Sequence, residues 1–252
     1  MGLQKMTPPI ALRMPRQKQQ QPSTGEELIV FPNADKEWHE SWTRDRSWAN
    51  FPHPYRAVAC GPPNSGKTSA LYNLVVKADP PFERIVVWHI DPEGSREWST
   101  VDGAEMVGRC PQVEDFDPER KNLLVIEDVD LGGLRGEEAS LVDRLFGYVS
   151  THRNVSVVAT SQDPFRLPAS LRRSSNVFLL WRSPDLESMA TIGRRIGLKT
   201  KDLESIFNAL KFGTHDFLCA DLTPDAPCRL RKNFFEPILG PGERLREYRS
   251  DS

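Results

Sequence analysis

Gly61-Pro62-Pro63-Asn64-Ser65-Gly66-Lys67-Thr68 is the stretch that decides the fold, because it matches the G-x-x-x-x-G-K-[ST] pattern of the phosphate-binding P-loop. The apolar residues before it, 55–60, predict a short buried strand. Residues 69–77 after it predict a helix with an apolar face formed by Ala70, Leu71, Leu74 and Val75. A strand, a glycine-containing loop and a helix in this order are the context that the motif needs to bind phosphate.

The spacing within this loop explains its chemistry. Glycines let backbone N–H groups curl around a β-phosphate, and the N-terminus of the following helix adds its partial positive charge. Lys67 is placed to reach the β- and γ-phosphates, and the Thr68 hydroxyl is placed to bind Mg²⁺. We therefore predict that residues 61–68, together with Ser69, bind ATP and that Mg²⁺ accompanies it.

The overall composition limits the classes of protein to which the chain can belong. Its 252 residues correspond to one domain with extensions, or to two domains at most. The hydrophobic fraction of 38% is enough for a sizeable core, and the formal net charge is −2. Such a charge gives no global sign of nucleic-acid binding, so a DNA site would have to be a local patch or a shared pore.

The cysteines and the apolar runs point to a reducing compartment. Cys60, Cys110, Cys219 and Cys228 form no C-x-x-C pair, so neither a zinc site nor a disulfide framework is indicated, and we expect buried thiols. No apolar run approaches the roughly 18 residues of a transmembrane helix. The N-terminal segment lacks the apolar stretch of a signal peptide. The sequence thus predicts a protein without a membrane span that is not secreted.

Composition also divides the chain into four segments. Residues 1–25 are basic and rich in Gln and Pro, which predicts a disordered tail. Residues 26–50 are predicted to form an N-terminal extension, residues 51–239 the P-loop ATPase domain, and residues 240–252 a charged C-terminal tail.

Strand and helix patterns alternate through the ATPase domain, which indicates a mainly parallel central sheet with helices on both faces. Further strands are predicted at 84–90, 105–108, 122–126, 155–160 and 176–181, and helices at 137–150, 184–196 and 201–211. Residues 217–222 and 228–232 flank a proline-containing turn and predict a C-terminal β-hairpin. Ligands of such sheets bind beyond the carboxyl ends of the strands, so the residues that follow each strand are the candidates for chemistry.

Two acids follow the strand predicted at 122–126. Apolar residues followed by Glu127-Asp128 form the Walker B pattern of NTPases. Glu127 is placed to hold Mg²⁺, directly or through water, and Asp128 to orient or deprotonate the attacking water. The sequence leaves the exchange of these two roles open. Alone, such an acid pair usually forms a turn or a helix cap, but its position downstream of a P-loop favours catalysis.

A polar amide and several arginines complete the list of candidates. Gln162 ends the next long strand, where an amide contacts a γ-phosphate or the attacking water; capping a loop is its simpler role. Hydrolysis also needs positive charge for the transition state, which is called an arginine finger when a neighbouring subunit supplies it. Arg153 is our first choice, with Arg172 and Arg173 as alternatives, although such residues are more commonly solvated or paired with an acid.

Three segments in this order resemble the genome-packaging ATPases of poxviruses, giant viruses and virophages, within the FtsK–HerA superfamily: 61–68, 123–128 and 152–164. The resemblance covers roughly residues 50–235, and its most specific part is the strand that begins near His152-Arg153 and ends in Gln162. By position, Lys67 and Thr68 match the P-loop pair of that family. Glu127-Asp128 match its Walker B acids, and Gln162 matches its polar sensor. Glu127 departs from the Asp that is usual in that family, so the resemblance does not fix the metal geometry at this longer side chain.

The resemblance implies a RecA-like core, a ring of identical subunits (pentamer or hexamer) and ATP-driven translocation of double-stranded DNA into a preformed capsid. It also implies a capsid vertex protein as a partner. The site of action would be where virions assemble, in the host cytoplasm or nucleus, or the virion itself.

Three alternatives remain open from the sequence. The first is a cellular or plasmid DNA pump of the same superfamily, which usually carries membrane spans or added DNA-reading domains. The second is a P-loop kinase of nucleotides or small molecules, against which Gln162 and the acid pair favour water as the acceptor. The third is a non-hydrolysing P-loop scaffold, against which the intact Lys67, Thr68 and acids count.

Overall fold

The computed structural model describes residues 49–224 and 226–240 of the chain. The predictions for residues 1–25, for nearly all of 26–50 and for 241–252 lie outside this part.

Nine strands of the described residues form one sheet in the order β3-β2-β4-β5-β1-β6-β7-β8-β9. They are β1 Arg56–Cys60, β2 Arg84–His89, β3 Ala104–Val107, β4 Asn122–Glu127, β5 Val155–Ser161, β6 Val177–Trp181, β7 Phe217–Asp221, β8 Leu230–Lys232 and β9 Glu236–Pro237. All pairs from β3 to β6 are parallel, and β7, β8 and β9 add antiparallel pairs. The predicted mainly parallel sheet is thereby confirmed.

Five α-helices of the described residues connect and cover the strands. They are α1 Lys67–Val76, α2 Gly136–Arg144, α3 Ala169–Ser174, α4 Leu186–Arg195 and α5 Thr200–Ala209. A π-helical turn, Leu145–Val149, and a last α-helical turn, Ser150–His152, continue α2. Short 3₁₀ turns lie at Glu97–Thr100, Val113–Asp115 and Pro164–Arg166.

The core has two layers, one on each face of the sheet. On one face, Ala70, Leu71 and Leu74 of α1 pack in a cluster with alternate strand residues such as Ala57 and Val125. On the other face, the residues of α2, α4 and α5 pack against the strand residues between these. Strands buried on both faces have to be continuously apolar, as β4 is from Leu123 to Ile126. The prediction of a RecA-like α/β fold with helices on both faces is confirmed.

The predicted C-terminal hairpin is also present, with one addition. β7 and β8 pair antiparallel, and β9 extends the pair to three strands. Arg231 of β8 and Asp221 of β7 are fully buried and form an ion pair with 3.0 Å between Nη2 and Oδ2. The four cysteines are buried as free thiols. Within residues 49–224 and 226–240, no helix is long and apolar enough to cross a membrane.

Parallel pairing decides where the candidate residues lie. The P-loop follows β1, Glu127 ends β4 and Gln162 follows β5, so all three lie at the carboxyl edge of the sheet. Arg153 precedes β5 and therefore lies at the opposite edge.

Candidate active site

The P-loop forms a tight turn between β1 and α1. Gly66, which precedes the helix, has a φ of 92°, a left-handed conformation that glycine adopts without steric cost. The Gly61 N–H donates to the Ser161 carbonyl at 3.1 Å, which fixes the start of the loop to β5. The first N–H groups of α1 therefore open onto this turn, and such groups at a helix N-terminus attract anions.

Two side chains of the loop point to a ligand of negative charge. The Lys67 ammonium donates to the carbonyl oxygens of Gly61 and Pro62, both at 2.9 Å, so it lies folded over the turn. Burial lowers the pKa of Lys67, while Asp128, Cys60 and Glu127 act in the opposite direction. The Ser65 hydroxyl is buried and has no hydrogen-bond partner among the described residues. A phosphate oxygen in the turn fits both groups as an acceptor.

Gly61 leaves no space for a side chain, which gives a first prediction. An ideal Cβ at this position would lie 2.6 Å from Trp181 Cβ and 2.9 Å from Ser65 Oγ. We expect Gly61→Ala to displace the loop, to lower the free energy of unfolding by about 1–3 kcal/mol and to weaken nucleotide binding. Thermal unfolding and titration with a fluorescent ATP analogue measure the two effects.

Gly147→Ala is the matched control for this substitution, since a Cβ there meets no heavy atom within 4 Å. Equal effects of the two substitutions would mean that the close approach of Trp181 to Gly61 is not what requires glycine.

Glu127, the last residue of β4, connects this strand to the P-loop through its side chain. It is 5% exposed, and both of its carboxylate oxygens accept hydrogen bonds. The Thr68 hydroxyl donates to Oε1 at 2.5 Å, and the Trp98 indole N–H donates to Oε2 at 2.6 Å. The carboxylate is thereby oriented towards the first turn of α1.

Asp128 points elsewhere. Its φ of 54° turns the chain directly after β4, and its side chain is 53% exposed. Its Oδ2 lies 3.6 Å from Nε2 of His89, the last residue of β2. Its backbone N–H donates to the Thr160 hydroxyl at 3.4 Å. The adjacent acids thus differ in surroundings: Glu127 is buried against the P-loop, and Asp128 is available to a molecule at the edge of the sheet.

An open cleft of about 480 Å³ adjoins Asp128 at this edge. Gln162, which is exposed, lines the cleft together with Asp128, Asp130 and Arg166. Arg166 forms an ion pair with Asp130 through two hydrogen bonds. The structure therefore brings Gln162 and Asp128 together, and it adds an arginine that was not among the candidates.

The proposed arginine fingers lie outside this cleft. Arg153 is at the opposite edge of the sheet, where its backbone N–H donates to the Val149 carbonyl at 2.8 Å. Arg172 donates through Nη1 to the carbonyls of Pro164 and Leu167, so its side chain holds its own loop together. Arg173 is exposed. None of the three contacts the P-loop within the described residues.

Four residues near the site escaped the sequence analysis: His89, Trp98, Arg166 and His215. His89 ends the parallel strand β2, and a polar residue at the carboxyl end of a parallel strand is by itself a signal for a ligand site. His215 lies beside the loop, with Nδ1 3.4 Å from an ideal Cβ on Gly66. It precedes the antiparallel β7, so no sequence rule places it there. Trp98 lies in a short 3₁₀ turn without any motif, and its contact with Glu127 depends on tertiary packing.

The donor set fits a magnesium ion. The Thr68 hydroxyl and the Glu127 carboxylate are oxygen ligands, which this ion prefers. In the described residues no group of three or more His, Cys, Asp or Glu side chains forms a metal cage. Mg²⁺ usually needs no such cage, because substrate phosphates and waters supply its other ligands.

Several solved structures have a fold similar to that of this chain. B204, the DNA-packaging ATPase from Sulfolobus Turreted Icosahedral Virus, matches with a TM-score of 0.52 and 15% sequence identity, over 74% of this chain and 99% of that chain. The chain shares its fold with viral genome-packaging ATPases. The genome packaging NTPase B204 from Sulfolobus turreted icosahedral virus 2, in complex with AMPPCP, matches with a TM-score of 0.51 and 12% identity, over 74% and 98% of the two chains.

The same B204 protein in complex with ATP-gammaS matches with a TM-score of 0.50 and 13% identity, over 74% and 99% of the two chains. At these identities the likeness establishes the B204 fold, and the roles of individual residues rest on the geometry above. Neither a protein-family model nor a curated protein sequence matches this chain.

Proposed function

We propose that this chain is an ATP-hydrolysing motor that translocates double-stranded DNA and, more specifically, that it packages viral DNA into a preformed capsid. The observation that carries the proposal is the contact between Thr68 and Glu127. This contact joins the P-loop to Glu127 at the end of β4, and the next residue, Asp128, lines the same cleft as Gln162. The proposal is also supported by the fold that the chain shares with B204, a DNA-packaging ATPase.

The geometry suggests a division of work within the site. Lys67 and the N-terminus of α1 bind and orient the phosphates, and the Ser65 hydroxyl donates to one of their oxygens. Thr68 and Glu127 would hold Mg²⁺, which would neutralise charge on the β- and γ-phosphates. Asp128 accepts the proton of the attacking water, and Gln162 orients that water.

The partners follow from the motor function. Double-stranded DNA is the polymer that is moved, and a homo-oligomeric ring of five or six subunits would surround it. A capsid vertex protein would dock the ring at the site of virion assembly. The formal net charge of −2 means that DNA contacts come from a local patch or from a shared pore.

The proposal is tested by ATP hydrolysis with and without long linear double-stranded DNA. We expect DNA to stimulate hydrolysis and the protein to displace a third strand bound to the duplex, which reports translocation. A rate of ATP hydrolysis that is the same with and without DNA would contradict the motor function. Phosphoryl transfer to an added nucleoside monophosphate, in preference to water, would establish the kinase alternative.

Coupling between subunits gives a further prediction. Arg153 lies at the edge of the sheet opposite the P-loop of its own chain, so in this proposal it serves the nucleotide of a neighbouring subunit. We expect Arg153→Ala to bind ATP and to hydrolyse it poorly. Mixing this variant with Lys67→Ala should restore part of the activity, because mixed rings contain interfaces with an intact P-loop and an intact arginine.

Electron microscopy of the mixture with ATP controls for ring assembly in that experiment. Intact mixed rings without any recovery of activity would exclude Arg153 from acting between subunits. The exposed Arg173 would then be the next candidate, since Arg172 is engaged within its own loop.

A further inference from the structure

The indole of Trp98 makes a contact that core packing alone does not require. Trp98 belongs to the 3₁₀ turn Glu97–Thr100 between β2 and β3, and it is 1% exposed. Its N–H donates to Glu127 Oε2 at 2.6 Å. Its ring packs in the same cluster as Leu71 of α1 and Val125 of β4. The turn thus connects the sheet, the P-loop helix and the buried acid.

Glu127 needs such a contact because of its length. A glutamate has one more rotatable bond than an aspartate, so its carboxylate reaches farther but is less well fixed by the backbone. The Thr68 hydroxyl holds only one oxygen, and that same hydroxyl is a ligand for the metal in the proposed function. The indole N–H is the donor that holds the other oxygen.

We propose that Trp98 is a positioning residue for the metal-binding carboxylate. It fixes Oε2 and thereby presents Oε1 to Thr68 and to the Mg²⁺ that accompanies the nucleotide. Partners that hold a metal ligand from outside typically change metal affinity by about 10–100-fold when they are removed. The inference rests on the proposed function, because it takes Thr68 and Glu127 as the metal ligands.

The test is metal binding to the full chain with AMPPCP present, with Mn²⁺ as the probe and electron paramagnetic resonance as the readout. Trp98→Phe removes the N–H and keeps most of the ring. We expect it to weaken Mn²⁺ binding about tenfold and to leave AMPPCP affinity in EDTA unchanged. Trp88→Phe is the matched control, because Trp88 is a buried indole of β2 in the cluster on the other face of the sheet.

A second variant guards against a loss of folding. Benzothienylalanine at position 98 replaces the indole N–H by sulfur with almost no change of shape. We expect it to melt like the wild type and to lose Mn²⁺ affinity as Trp98→Phe does. Unchanged Mn²⁺ affinity in this variant would overturn the inference and would leave Trp98 as a core residue.

A double-mutant cycle identifies the partner of Trp98. In a Glu127→Asp background the shorter side chain withdraws from the indole, so Trp98→Phe should have little further effect on Mn²⁺ affinity. A full tenfold loss in that background would overturn the inference. A wild type that binds neither Mn²⁺ nor AMPPCP would overturn the proposed function itself, and the inference with it.

Discussion

Lys67→Ala is expected to abolish ATP hydrolysis, with kcat lowered by about 10²–10³ or more. The Lys67 ammonium lies 2.9 Å from the carbonyls of Gly61 and Pro62, over the turn that would receive the phosphates. Alanine removes the only positive side chain of the loop, and with it the charge that meets the β- and γ-phosphates. Steady-state phosphate release measures the loss.

The fold is expected to survive the Lys67 substitution, because the hydrogen bonds of its ammonium go to carbonyls of the loop, those of Gly61 and Pro62. Lys77→Ala is the matched control: it removes a lysine that is exposed and caps the other end of the same helix. Near-normal turnover in a Lys67→Ala protein with wild-type thermal unfolding would remove the P-loop from the mechanism.

The sequence predicts well which residues lie at the carboxyl edge of the sheet, because local patterns mark where each strand ends. Each buried parallel strand is an uninterrupted apolar run, and polar residues mark its end. The P-loop, Glu127 and Gln162 could therefore be assigned to one edge before any contact was known. Helix α1 begins at Lys67, two residues before the prediction, because Gly66 already ends the loop in a left-handed conformation.

The contacts that orient the site were beyond sequence reasoning, because they join segments that are distant in the chain. Trp98 reaches Glu127 across 29 residues, and Arg166 reaches Asp130 across 36. No periodicity or motif marks either pair. The choice among Arg153, Arg172 and Arg173 stays a prediction for a related reason: the sequence gives their positions, but their partners depend on packing.

The sequence left the roles of the two acids open, and the surroundings of the two side chains distinguish them. An extended strand sends successive side chains to opposite faces. Asp128, with a left-handed φ of 54° directly after β4, lines the cleft, while Glu127 stays buried against Thr68. This favours Glu127 as the metal-side acid and Asp128 as the acid that faces water.

Asp128→Asn is accordingly expected to lower kcat by about 10²–10⁴, the range for loss of a positioned proton acceptor. Asparagine is nearly isosteric with aspartate and, like it, tolerates the left-handed backbone, so the turn after β4 is kept. It cannot take a proton from water at neutral pH. The affinity for ATP and the Mg²⁺ concentration for half-maximal activity should change little, since Glu127, and not Asp128, accepts the hydrogen bond of Thr68.

Glu127→Gln is the contrasting variant, because it changes the neighbouring acid with the same loss of charge. We expect it to raise the Mg²⁺ requirement, as the amide is a poorer ligand for a hard cation than a carboxylate. Measuring kcat and Mg²⁺ dependence for both variants separates the two roles. A higher Mg²⁺ requirement in Asp128→Asn, with a normal one in Glu127→Gln, would reverse the assignment.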